Sequence, residues 1–299
     1  MIKTESVTKY FGDVCSLNGV TLRIPDGSIF GLIGSNGSGK STLLRAMSGI
    51  FSVDKGCVLH DGFNIWENTE AKAKLVYLSD EPYFLPHASI EDMRQMYRSL
   101  YPTFNDEKFE KLLGIFGLPV NRKIQTFSKG MQKQTTVLLG LSVCPQYLFC
   151  DETFDGLDPV MRQLVKRILM EDIAERGTTV VIASHNLREL EDVCDHIALL
   201  HKGKLLFQED LDDMKLNIQK IQAVFTTDDA EEKLRALSCL RLERRGSLYT
   251  IVARGSRDEL EEQIQKLGPE FFECIPLTLE EIFISEMEEN GYDFAQILA

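Results

Sequence analysis

The stretch GSNGSGKST, Gly34 to Thr42, constrains this 299-residue chain more than any other. It follows a short apolar run, GSIFGLIG, and precedes KSTLLRAMSGI, which has helical spacing. Strand, glycine loop and helix form the setting in which G-x-x-x-x-G-K-[ST] binds phosphate. Glycines let consecutive N–H groups point inward around an anion, and the helix adds the positive end of its dipole. Gly34, Ser35, Asn36, Gly37, Ser38, Gly39, Lys40, Ser41 and Thr42 are therefore the expected phosphate-binding set. Lys40 supplies a point charge between β- and γ-phosphates, and the Ser41 hydroxyl is placed to ligate Mg²⁺. A glycine-rich turn before an ordinary helix is the plainer alternative.

The run YLFCDE reads as a second buried strand ending in two acids. Asp151 at its end can hold Mg²⁺, directly or through water. Glu152 beside it can polarise an attacking water as general base. GTTVVIASH is a further buried strand, and its last residue, His185, can hydrogen-bond a γ-phosphate or merely cap the next segment. His60, His87, His196 and His201 read as turn and surface positions.

Short strands fill residues 1 to about 30, GCVLHDGFNI reads as a hairpin through Asp-Gly, and KLVYLSD as a buried strand. Helical patterns run from Ser89 to about Leu118, broken at YPTFND, with Ser89 and Asp92 at capping-box spacing. Together with the next apolar helical run they mark a helical subdomain of about residues 85–145. NLRELEDVCD is expected as a helix capped by Asn186, with Glu189 closing the box, and HIALLHKGKLLF as a hairpin through Lys202-Gly203. Strands alternating with helices imply a mainly parallel α/β sheet with its site at the strand C-termini. The charged segment QEDLDDMK marks a boundary, giving domains 1–210 and 211–299. The second reads as a small α+β appendage with capping-box pairs Ser256/Glu259 and Thr278/Glu281.

Charge and composition narrow the partners. Hydrophobic residues make up 43% and charged residues 26%, as expected of a folded globular chain. The net charge of -13 argues against nucleic acid, and against an anionic membrane surface, as the main partner. The 7 cysteines are scattered singly, which points to buried small hydrophobes in a reducing cytosol. The N-terminus lacks a signal-type apolar core, and no run of apolar residues is long enough to span a bilayer.

A second helix start remains, FSKGMQKQTTVLLGL, where Ser128, Lys129 and Gly130 precede an apolar helical run. The ordered set FGLIGSNGSGKST, FSKGMQKQ, YLFCDETFDGLDP and VVIASHNLRELEDVCD resembles the ATP-binding subunit of ABC transporters, over roughly Ile2 to Phe207. That resemblance implies a P-loop NTPase of ABC type, with a mainly parallel sheet core, an antiparallel β subdomain, a helical subdomain and here the C-terminal α+β appendage. It implies ATP and Mg²⁺ as ligands and a sandwich dimer with a second nucleotide-binding subunit, homo- or heteromeric. Each ATP then lies between the phosphate loop of one subunit and Ser128, Gly130 and Met131 of the other. Phe11 stands where the family stacks an aromatic on adenine, although a core Phe is the alternative. Asp151 and Glu152 fall on the metal carboxylate and the catalytic glutamate, and His185 on the switch histidine. Asp155 to Asp158 resembles the loop that contacts the partner.

Two positions depart from the family pattern. Asp80 stands where a metal-sensing glutamine is usual, and a carboxylate can still ligate Mg²⁺. In the signature, Lys129 replaces a glycine and Met131 a glutamine. The tail PLTLEEIFISEME, with the appendage before it, resembles bacterial exporters whose permease is a separate ABC-2-like chain. The resemblance therefore implies a cytoplasmic ATPase, peripheral on the inner face of the membrane through that permease, with regulation or dimerisation expected of residues 212–299 and a bare stabilising extension as the alternative. A soluble ABC ATPase of repair or translation type is the competing reading, disfavoured by the acidic charge and the lack of a basic tract.

Overall fold

Alternating apolar residues near the N-terminus form two paired antiparallel strands, β1 (Ile2–Phe11) and β2 (Val14–Ile24). The structure, a computed structural model, describes residues 1–226, 230–235, 237 and 239–289. The chain then runs through β3 (Ile29–Ile33), α1 (Lys40–Met47), β4 (Lys55–His60), β5 (Phe63–Asn64), α2 (Thr69–Lys72) and β6 (Leu75–Leu78). Three helices come next, α3 (Ile90–Leu100), α4 (Asp106–Phe116) and α5 (Lys129–Ser142). The remainder of this unit is β7 (Tyr147–Asp151), α6 (Pro159–Arg176), β8 (Thr179–Ser184), α7 (Leu187–Glu191), β9 (His196–His201) and β10 (Lys204–Asp210). The chain divides into two compact units between Gln208 and Glu209.

Runs that are apolar on both faces become the central strands. Every residue of β3, β7 and β8 is buried, as parallel strands covered on both faces require. They lie in one sheet of order β10-β9-β3-β8-β7-β6, with parallel pairing from β9 through to β6. The first strands form a separate antiparallel sheet, β2-β1-β4-β5. Its apolar face and α1 share one core with the parallel sheet, built on residues such as Ile2, Leu22, Phe30, Leu44 and Phe149. The Asp61-Gly62 turn joins β4 to β5 with both residues at positive φ, 51° and 84°, the conformation a two-residue hairpin loop demands.

Three sequence expectations need correction. His60 is 3% exposed rather than a surface turn residue. It ends β4 against the rings of Tyr147 and Phe149, and its Nε2 donates to the carbonyl of Met47 at 2.9 Å. The alternating burial of β4 carries it inward. Of the 7 cysteines, all free thiols, only Cys150 and Cys194 are buried, because the others fall on strand or loop positions that face outward in part. The helix after His185 stops at Glu191, and Glu189 does not close a capping box with Asn186. The Asn186 N–H instead donates to Ser184 Oγ, while Glu189 turns inward to Ser184 Oγ and Arg162.

The second unit contains α8 (Leu211–Asn217), β11 (Ile218–Val224), α9 (Ala230–Arg235), β12 (Cys239–Arg245), β13 (Leu248–Arg254), α10 (Arg257–Lys266), β14 (Phe271–Ile275) and α11 (Leu279–Glu289). Its strands form one antiparallel sheet, β12-β13-β11-β14. Ile221, Tyr249, Ile251, Leu260 and Ile264 centre its own core. Ser256 and Glu259 form the expected box on α10, and Thr278 and Glu281 exchange the same bonds at α11.

Helix starts differ in their acids. Among the described helices, α1, α5 and α6 have no acidic residue in the first turn. The other described α-helices each carry at least one.

Candidate functional site

The C-terminal ends of β3, β6, β7 and β8 are neighbours, so the loops that leave them share one rim. The loop after β3 is Gly34 to Gly39. A Cβ on Gly34 would sit 2.4 Å from both the Leu200 carbonyl and Ser38 Oγ, so only glycine lets the loop close there. Ser38 Oγ is buried without a hydrogen-bond partner among the described residues. Gly39 caps α1 with no side-chain bond, leaving the first N–H groups of that helix to a ligand. Lys40 is 5% exposed and donates to the carbonyls of Gly34 (2.6 Å) and Ser35 (3.2 Å). These contacts fold the lysine over the loop it serves.

The acids arrive from β7. Asp151 is 1% exposed, and each of its oxygens accepts one hydroxyl. Ser41 Oγ donates to Oδ1 at 2.9 Å and the Tyr77 hydroxyl to Oδ2 at 2.7 Å. Arg45 Nε donates to the Tyr77 oxygen at 3.2 Å. Burial first, then the neighbouring carboxylate, pushes the Tyr77 phenol far up, so it remains a donor. The pairing of Ser41 Oγ with a buried carboxylate is a set of hard oxygens that fits Mg²⁺. It is the donor set that a nucleotide's metal needs beside a phosphate loop.

Glu152 leaves the strand at φ 47°, the left-handed region that a non-glycine residue occupies only under constraint. Its N–H donates to the Ala183 carbonyl at 3.0 Å. Its carboxylate lies 3.5 Å from Lys40 Nζ and 3.0 Å from His185 Nδ1. The strained backbone turns the side chain away from β7 and into the cleft. His185, at the end of β8, also approaches Asp155 Oδ2 at 3.8 Å.

A cleft of about 350 Å³ joins the glycine loop to the two acids, with His185 outside its lining. Asn36, Gly37, Gly39, Lys40, Ser41, Thr42, Asp80, Asp151 and Glu152 all line it. Asp80 lies on the loop after β6, where Lys133 Nζ holds its Oδ1 at 3.0 Å. Phe11 is 46% exposed and packs edge-on against Phe51, centroids 5.4 Å apart, so it is not a core residue.

Ser128, Gly130, Met131 and Asp158 do not line the cleft. Ser128 caps α5 by accepting from the Met131 N–H at 3.2 Å, and Lys129 is exposed. A Cβ on Gly130 would meet the Gly156 carbonyl at 3.2 Å, so the start of α5 packs against the loop of residues 155–158. Asp158 caps α6 through the Met161 N–H at 2.9 Å. The helix start at Ser128 thus lies outside the cleft that holds the loop Gly34 to Gly39.

Four residues of the site carry no sequence motif. Tyr77 and Arg45 support Asp151, Ser16 Oγ bonds Thr42 Oγ1 at 2.9 Å, and Lys133 spans Asp80 and the Glu152 carbonyl. Only Lys133 leaves a readable trace, a cation one turn into the helix that opens at Ser128.

Among known proteins, the family model described as ABC transporter matches residues 17–155. The chain is 32% identical to the ABC transporter ATP-binding protein YtrB of Bacillus subtilis (strain 168), across 96% of this chain and 98% of that protein. It is 28% identical to the bacitracin transport ATP-binding protein BcrA of Bacillus licheniformis, across 74% and 73%. Two solved structures share the fold. One is the ATP-binding subunit of an ABC transporter, with a TM-score of 0.67, 21% identity and 89% of this chain covered against 99% of that one. The other is a dimeric ATP-binding cassette bound to ADP and Pi, at 0.64, 23%, 71% and 99%.

Proposed function

The chain belongs to the ATP-binding proteins of ABC transporters, and on that premise we propose how it works: two nucleotide-binding subunits close on two Mg·ATP and drive a separate membrane permease. One observation carries the reading. Lys40, Ser41, Asp151 and Glu152 converge in one cleft, while the capped start of α5 stands outside it with no acid in its first turn. A helix start of that kind is suited to phosphates brought by another chain.

Within one subunit, the loop Gly34 to Thr42 holds the phosphates, and Lys40 leaves the Gly34 and Ser35 carbonyls for the β- and γ-oxygens. Ser41 and Asp151 would hold Mg²⁺, with Asp80 at the same rim. A Mg²⁺ ion held there would supply positive charge against the phosphates during transfer. Glu152 takes a proton from the attacking water, and His185 orients that water and the γ-phosphate through its contact with Glu152. Phe11 offers its exposed ring to adenine. Ser128, Gly130 and Met131 close on the partner's γ-phosphate, and Asp158 helps shape the loop between the subunits. Loss of that phosphate then removes the differential contact that held the closed state.

No described helix is long and apolar enough to cross a membrane. In this reading the permease is a partner chain, and this subunit sits against it at the cytoplasmic face. We read the direction as export, on the likeness of the tail PLTLEEIFISEME to exporter subunits. The test is Glu152→Gln. This protein should still bind ATP and accumulate as a dimer, while turnover falls by about 10²- to 10⁴-fold, the usual worth of a general base. An unchanged rate removes Glu152 from the mechanism.

A further inference from the structure

Lys133 joins the helix start meant for one nucleotide to the glutamate that serves the other. It lies one turn into α5, five residues past the cap Ser128, or about 7.5 Å along the axis at the usual rise. Its side chain is 13% exposed. The ammonium donates to Asp80 Oδ1 at 3.0 Å and to the main-chain carbonyl of Glu152 at 2.9 Å.

The second bond is the informative one. Glu152 is the strand-end residue at φ 47°, and such a conformation persists only where neighbours hold it. Its N–H is held by β8 and its carboxylate faces Lys40 and His185. Its carbonyl is held by α5, through Lys133. The helix is firmly seated farther on, because a Cβ on Gly140 would come within 2.6 Å of Leu78 Cδ2 on β6. Any tilt of its start about that seat carries the Lys133 ammonium with it and turns the Glu152 peptide.

We propose that Lys133 is a positioning residue for Glu152, and that through it the nucleotide bound in trans sets the glutamate in cis. The proposal rests on the dimer reading. When the start of α5 engages phosphates held by the partner, Lys133 keeps the Glu152 carbonyl in its present orientation. When α5 is released, Asp80 competes for the ammonium and the glutamate loses its support. Each site then hydrolyses well only while the other is filled.

The experiment compares full-length Lys133→Met and Lys133→Arg with the wild type in steady-state ATPase assays. Both substitutions are also placed in the Glu152→Gln background and followed by light scattering with ATP. Lys133→Met should lower kcat about tenfold, the worth of one charge-assisted hydrogen bond, with KM within about twofold. Its Hill coefficient for ATP should fall to about 1 from a higher wild-type value. Lys133→Arg should recover part of the rate, since it keeps a charged donor with a different shape. The Glu152→Gln, Lys133→Met protein should still dimerise with ATP. A wild-type kcat and Hill coefficient in Lys133→Met overturns the proposal. Loss of ATP-driven dimerisation in the double variant also overturns it, by making Lys133 part of the helix start itself. If Glu152→Gln alone stays monomeric, the dimer reading fails instead, and kcat of Lys133→Met still decides whether Lys133 positions Glu152.

Discussion

Replacing Tyr77 by phenylalanine removes one hydroxyl from the floor of the site. The ring volume stays the same, so no cavity opens. What is lost is the 2.7 Å bond to Asp151 Oδ2. That oxygen is buried and charged, and a hydrogen bond to a charged group contributes about 1.5–3 kcal/mol. Arg45, the other partner of the hydroxyl, is only partly buried and can turn to water. The net cost is therefore about 2 kcal/mol, a factor of roughly 30 in the folding equilibrium. Trp66, the single tryptophan, lies in the same unit and reports on its unfolding. With an m-value of about 2 kcal/mol/M, the urea midpoint of Tyr77→Phe should drop by about 1 M with m unchanged. The Mg²⁺ concentration needed for half-maximal ATP hydrolysis should rise as well, because Asp151 is no longer fixed. A midpoint within about 0.2 M of wild type would show that water replaces the hydroxyl at no cost, and would refute the reasoning.

Two further outcomes derive from the fold. Burial lowers the folded-state pKa of His60 to about 4, against about 6.5 unfolded. Between these values only the unfolded chain binds the proton, so stability is full above about pH 6.5 and is lost as pH falls toward 4. The loss reaches about 3 kcal/mol. His60→Phe should flatten that part of the Trp66-monitored stability profile, and an unchanged slope between pH 7 and 5 would assign the titration elsewhere. Gly34→Ala places a methyl 2.4 Å from the Leu200 carbonyl. It should weaken ATP binding at least about tenfold, read with a fluorescent nucleotide in the absence of Mg²⁺. Wild-type affinity would mean that the loop does not need this close approach.

The parts of the site that rest on backbone chemistry were legible in the sequence. A phosphate loop needs glycines, a lysine and a helix in fixed order, and Gly34 to Thr42 carries them. Asp151 and Glu152 were legible as candidates because a buried run ending in two acids accompanies that glycine loop, and the two acids line the same cleft as Lys40 and Ser41. The supports were not. Tyr77 meets Asp151 across 74 residues and Lys133 meets Asp80 across 53, and no local period encodes such encounters. Where local rules misled, tertiary demands had won. Glu189 stands at box spacing from Asn186, yet Ser184 and Arg162 offered it partners inside the fold. His60 reads as a polar strand end, but strand alternation carries it under Tyr147.

The acid-free starts of α1 and α5 have a consequence for how a ligand arrives. The chain as a whole carries a net charge of -13, so its far field repels phosphates. At the starts of α1 and α5 no carboxylate accepts from the helix N–H groups, so the near field of those groups attracts phosphates. Distance therefore decides the sign of the force that a nucleotide feels. Entry is opposed and residence is favoured, and the opposition is the part that salt screens. A nucleotide that travels with its divalent cation carries less charge through the outer field than a bare one. A divalent cation carried with the nucleotide would thus ease its approach before any chemistry.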